Sequence, residues 1–161
     1  MDTKASFLPG ADINDERTIE VPKLLENLPK NTSKEDQAYL KKYGEKLSDS
    51  TQYAKWISGS DDHEDHPGQS LVTRNHEVIE RWAEERGAKP ATVPGTQRKD
   101  TLGVLRFDFP GYGGKDLEEI TWDEWFRTFD ERQLVFLFQE RLKNGNQSNF
   151  FRLESPLRED A

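Results

Sequence analysis

Apolar residues recur along the second half of the chain with two periods, one near 2 and one near 3.6, and those periods mark out its elements. In "LGVLRFDFP", Leu105, Phe107 and Phe109 point one way while Arg106 and Asp108 point the other, which predicts a strand with one wet face. In "TRNHEVIERWAEERG", Val78, Ile79 and Trp82 form a helical stripe, with Asn75 or Thr73 as cap and Gly87 as stop. "ITWDEWFRTFDE" carries the strongest helix start. Thr121 and Glu124 have capping-box spacing, and Trp122, Trp125, Phe126 and Phe129 fall on one broad face. "LVFLFQERL" is apolar on both faces and predicts a central strand. "NGN" then turns the chain into "SNFFRLE", its partner strand. "ATV", between Pro90 and Pro94, predicts a short edge strand. The expected fold is α+β: a small antiparallel sheet of three to four strands with two helices, in the order α-β-β-α-β-β.

The first 67 residues read differently. "EVPKLLENLP" allows a short helix beginning at Pro22, with Leu24, Leu25 and Leu28 on one side. "SKEDQAYLKKYGEKL" has Ser33 as a cap and Asp36 three residues on, with Leu40, Tyr43 and Leu47 on one face and Gly44 weakening the helix. Tyr53, Trp56 and Ile57 follow. Residues 1–67 hold 14 Asp and Glu against 9 Lys and Arg, but a single Phe and ten Ile, Leu or Val. That apolar share is below the roughly 20% typical of chains that fold alone. Residues 68–161 carry eight Phe and three of the four Trp. The expected division is an acidic, weakly helical or disordered arm and linker over residues 1–67. A compact domain over 68–154 and a flexible tail over 155–161 complete it.

Charge and composition narrow the function. The formal net charge is -8, so nucleic-acid binding needs a local basic patch. The chain has no cysteine, which removes disulfides, thiolate metal sites and cysteine nucleophiles and suits a reducing compartment. No apolar run reaches the roughly 18 residues of a membrane span, and the N-terminus lacks a signal-peptide core. The cytoplasm is the expected location.

The segments "HEVIERWAEERGAKPATVPGT", "GVLRFDFPGY", "LEEITWDEWFRTFDERQLVFLFQE" and "SNFFRL" resemble a family of small bacterial proteins of unknown function. The resemblance covers about residues 75–153. Some members carry a glucan-branching label, which this chain does not support, because such an enzyme needs a barrel of several hundred residues. The shared motifs are structural, so the resemblance implies no active site.

Candidate chemistry is sparse. "SGSDDHEDHPG" gathers four carboxylates with His63 and His66, but consecutive ligands in an extended chain point apart, so it reads as a solvated acidic linker. His76, in a first helical turn, reads as a surface or capping histidine. "PGYGGK" lacks the Walker spacing, and Asp116 follows Lys115 where Ser or Thr is needed. Trp122 is the aromatic placed to be exposed, at the helix entrance. Arg86, Lys89, Arg98 and Lys99 form a possible anion patch without interleaved aromatics.

No catalytic residue, cofactor or metal is implied. The expected role is a non-enzymatic cytoplasmic binding protein that meets another protein through its N-terminal arm. Nucleic-acid or other anion binding through the basic patch is the first alternative, and a small-molecule enzyme without a recognisable motif the second. The same division of the chain places Trp125 in the core and Trp56 in the loose arm, with residues 58–70 as the protease-sensitive joint.

Overall fold

The computed structural model describes residues 23–97, 102–111 and 116–157. It is α+β, as the sequence predicts, but with two small sheets rather than one. The helices are α1 (Lys23–Glu26), α2 (Lys34–Tyr43), α3 (Asp49–Gln52), α4 (His76–Glu85) and α5 (Trp122–Glu131). The strands are β1 (Lys55–Trp56), β2 (Leu71–Thr73), β3 (Lys89–Thr92), β4 (Leu105–Asp108), β5 (Glu118–Glu119), β6 (Val135–Phe138) and β7 (Phe151–Glu154). One sheet has the order β1-β2-β6-β7 and the other β4-β3-β5.

The two long C-terminal helices form for the reasons their sequences give. Asn75 caps α4 by accepting the Val78 N–H at 3.0 Å. At α5 the Thr121–Glu124 capping box is complete, and the Thr121 N–H and hydroxyl hold the Glu124 carboxyl below the usual range. Their apolar faces meet the facing sheets in one aromatic core. Trp125 is fully buried, stacks on Phe107 at 5.1 Å and donates its indole N–H to the Arg106 carbonyl. Strand β6 is central, paired antiparallel with β2 on one side and β7 on the other.

The segment between the prolines departs from the expected edge strand. β3 includes Pro90 and lies between β4 and β5. A proline is tolerated there because the β5 side asks little of it. The Pro90 carbonyl accepts the Ile120 N–H, and no proline N–H is needed for that bond.

The larger correction concerns the expected boundary at residue 67. Residues 23–57 are built into the same body. β1 runs parallel to β2, with Lys55 opposite Leu71 and Trp56 opposite Val72. Side chains alternate across the four-stranded sheet. Leu71, Phe136 and Phe138 face α4 and α5, whereas Val72, Val135 and Leu137 face Leu24, Tyr39, Leu40, Leu47, Ala54 and Trp56. Few apolar residues suffice here because they cover only one face of a small sheet. Leu40 is fully buried and Trp56 is 2% exposed. Pro22, the expected helix start, lies outside the described residues, and α1 spans a single turn.

Polar contacts lock this cover in place. Ser33 caps α2, and the chain tightens into a 3-10 turn at Gly44–Lys46. The Tyr39 hydroxyl donates to the Gln133 carbonyl at 2.7 Å, and burial pushes the Tyr39 phenol far up. Gln133 has φ 57, the left-handed region, at the close of α5. The Arg74 guanidinium lies 4.3 Å from the Tyr39 ring centre and donates to the Leu134 carbonyl. At the end of β7, Glu154 accepts hydroxyl bonds from Ser48 and Thr51 and the Ser48 N–H, which ties α3 to the last strand. Of the expected tail, Ser155–Leu157 is described and Pro156 is buried; residues 158–161 lie outside the described residues.

Truncating either buried tryptophan should therefore cost about 3–5 kcal/mol. Denaturant titrations of Trp56→Ala and Trp125→Ala are expected to show losses of similar size. A near-normal Trp56→Ala beside a crippled Trp125→Ala would return residues 23–57 to the status of a detachable arm.

Candidate functional site

The acidic stretch expected to be a solvated linker is a strap held from several sides. Asp62 accepts the Ser58 and Gly59 N–H groups at 2.9 and 3.2 Å. Glu140, just after β6, receives His63 Nδ1 and the Glu64 N–H, each at 2.9 Å. Arg141 donates to Glu64 at 2.5 Å. Lys55 of β1 donates to the His63 carbonyl at 2.8 Å and pairs with Asp65 at 2.9 Å. Bonds from Lys55 and then Gln69 hold the Asp65 carboxyl below the usual range. Gly68, at φ 88, donates to the Arg141 carbonyl where an added Cβ would meet Lys143 Cγ at 2.6 Å. Asp62, His63, Glu64 and Asp65 are thus held by the chain itself, although one Glu64 carboxylate oxygen is buried without a hydrogen bond among the described residues. No group of three or more His, Asp or Glu among the described residues could hold a metal ion.

The other sequence candidates separate. Arg86 is not an open anion ligand. Its side chain is 3% exposed, and the guanidinium donates to the carbonyls of Trp82, Glu140 and Ser148. It also lies 4.3 Å from the Trp82 ring centre, and burial lowers its pKa. Lys89 is exposed at the start of β3, and Arg98 and Lys99 lie outside the described residues, as do Tyr112–Lys115 of "PGYGGK". His76 does not cap α4, which Asn75 does. Its ring stacks on Phe126 at 4.2 Å, and its Nε2 meets Asp130 at 2.9 Å. Trp122 is half-buried and also stacks on Phe126, at 5.2 Å. These contacts hold the α4–α5 junction together.

A site that sequence reasoning missed borders β1. A cleft of about 400 Å³ is lined by α1 (Lys23, Glu26), the end of α3 (Gln52, Tyr53), β1 and the strap (Asp65, Gln69). Its volume falls in the range of binding clefts, roughly 300–1,000 Å³. β1 ends the sheet order, so its outer edge has no neighbouring strand among the described residues. The Lys55 and Ile57 N–H groups donate to the Ser70 and Val72 carbonyls of the β2 side. Alternation then points the Trp56 N–H and carbonyl the other way, toward the open edge, and no described residue bonds them. Trp56 as a whole is 2% exposed, so these groups are enclosed behind the cleft's lining rather than open to solvent.

Tyr53 stands over the same cleft at 73% exposure, the most exposed large apolar side chain among the described residues. The Lys23 ammonium lies 4.9 Å from its ring centre. Trp56 also forms part of the floor. Its indole N–H is buried without a hydrogen bond of ordinary geometry, and its electrostatic partner is the Asp36 carboxyl. Burial raises the Asp36 pKa, while Arg74 and that N–H pull the other way. The sequence signal was present in "YAKWI", whose alternation fits a short strand, but nothing local shows that its outer edge stays open.

No family model, curated protein or solved structure matches the chain. No helix among the described residues is long and apolar enough to cross a membrane.

The strap contacts carry a checkable consequence. The wild-type chain should resist limited proteolysis within residues 58–68, and Glu140→Ala should speed cleavage there by freeing His63 and the Glu64 N–H. First cleavage of the wild type at this stretch, at a rate Glu140→Ala leaves unchanged, would show the strap to be unanchored.

Proposed function

We propose that this is a non-enzymatic cytoplasmic protein whose work is to bind another protein, a short segment of which enters the cleft beside β1. The observation that carries the proposal is the cleft itself, lined by the exposed Tyr53 ring. The cleft gives such a segment walls, and Tyr53 gives one of its side chains a ring to lie on. The expected interaction through an N-terminal arm is thereby refined. Apart from Tyr53, the large apolar side chains of 24–57 pack inward, and what this part of the chain offers outward is the cleft and that ring.

The alternatives draw less support from the described residues. Anion binding through Arg86, Lys89, Arg98 and Lys99 loses Arg86 to the interior. The His76–Asp130 pair is a contact that could serve an enzyme, but its ring is pinned in a stack between helices.

Selection of displayed random peptides against the full chain tests the proposal. Enriched peptides should move the Trp56 main-chain amide resonance on titration, and should bind Tyr53→Ala about tenfold more weakly, a change of about 1.4 kcal/mol. Selected peptides that leave the Trp56 amide unmoved would contradict it.

A further inference from the structure

The strap that joins β1 to β2 is held by polar contacts alone. None of residues 58–70 is buried, whereas Ile57 before them and Leu71 after them are. Its two ends are fixed. The Ser58 hydroxyl meets that of Thr32 at 2.6 Å, Asn75 donates to the Ser58 carbonyl, and Arg81 donates to the Ser60 carbonyl. At the far end the Gly68 N–H donates to the Arg141 carbonyl, and Gln139 donates to the Gly68 carbonyl. Between these ends "DDHEDHP" has no large apolar side chain to anchor it. Its middle is latched from behind by Glu140 and Arg141, which take His63 and Glu64, and from the front by Lys55, which takes the His63 carbonyl and Asp65.

These latches are weak for two reasons. Every side chain in the three ion pairs except Glu64 reaches solvent, and exposed pairs stabilise little and are screened by salt. Glu64 itself carries a cost. Its side chain is 5% exposed, and one carboxylate oxygen is buried without a hydrogen bond among the described residues. That oxygen has lost water and gained no donor, a deficit that opening relieves. Opening also strips no apolar contact from the core. Segments of this kind open while the rest of a protein stays folded.

The strap bears directly on the cleft. Asp65 forms part of the cleft's wall, and Lys55, which holds Asp65, lines it as well. At about 400 Å³ the cleft is near the small end of the roughly 300–1,000 Å³ range of sites that enclose small ligands. A peptide segment therefore gains room when one wall withdraws.

We infer, building on the cleft reading above, that residues 61–67 are a gate: they swing as a unit off Glu140, Arg141 and Lys55, about Gly59 and Gly68, and so widen the cleft to admit the partner segment. The latched form dominates in the free chain. The partner shifts the balance by the contacts it makes only with the open one. Opening also frees the Lys55 ammonium on the cleft side.

Amide hydrogen exchange on the full chain reads the gate without a ligand. The Glu64 and Asp65 amides, bonded to the side chains of Glu140 and Gln69, should exchange through one common opening. Ile57 and Gly68, at the two ends, should stay at least about tenfold better protected. Raised salt and Glu140→Ala should each speed exchange at Glu64 and Asp65 and leave Ile57 unchanged. Arg141→Gln, which removes a different latch, should act in the same direction. Entry is read with a display-selected peptide that shifts the cleft amides. Its association rate should rise about tenfold in both variants, because the open form is then more populated. Exchange of Glu64 and Asp65 by separate openings, or only together with Ile57, overturns the gate and leaves the cleft reading standing. So does a common opening whose variants leave the association rate unchanged. If no selected peptide shifts the cleft amides, both fall.

Discussion

The whole architecture depends on one strand that is apolar on both faces. All four residues of β6, Val135, Phe136, Leu137 and Phe138, are buried. A strand cannot bury successive residues unless something lies on each side of its sheet. On the Phe136 and Phe138 side the requirement is met by α4, α5 and the second sheet, whose aromatic rings interlock around Trp82, Phe107 and Trp125. On the Val135 and Leu137 side it is met by residues 24–56. Residues 24–56 are therefore a wall of the core.

This requirement also explains what was legible in the sequence and what was not. Helices α4 and α5, their caps, the β6–β7 hairpin and the inward face of β4 could be read locally, because each is signalled within about ten residues by period or capping chemistry. The placement of residues 24–57 could not be read from their composition. Their apolar residues are few, and the surface they cover belongs to a strand some eighty residues later in sequence. The clue was in "LVFLF" rather than in the arm, since Val135 and Leu137 need a cover that two C-terminal helices on the opposite face cannot supply. The polar latches Tyr39–Gln133, Arg74–Leu134 and Glu154–Ser48 join residues far apart in the chain and have no local signature. The strap misled in the same way: its carboxylates look solvated until Glu140, Arg141 and Lys55 are seen to meet them.

Trp56 links the fold to the proposed function. Its side chain belongs to the core cover, and its strand β1, the edge of the sheet, lines the cleft. The position of that edge is thus fixed by burial rather than by the cleft itself. Natural sheets commonly block such edges, because an unpaired one invites association. Here the edge is flanked by α1, the end of α3 and the strap, which leave a cleft rather than a flat side. That arrangement limits access to a narrow, extended chain and discourages sheet-to-sheet aggregation.

Native-state hydrogen exchange tests the central point, that residues 24–57 and the C-terminal elements form one cooperative body. The amides of Leu40 in α2, Ile57 beside β1 and Leu137 in β6 should exchange through the same global opening, with equal free energies and equal denaturant dependence. Exchange of Leu40 and Ile57 through an opening several kcal/mol lower than that of Leu137 would mean that the N-terminal wall detaches on its own, and that β6 does not require it.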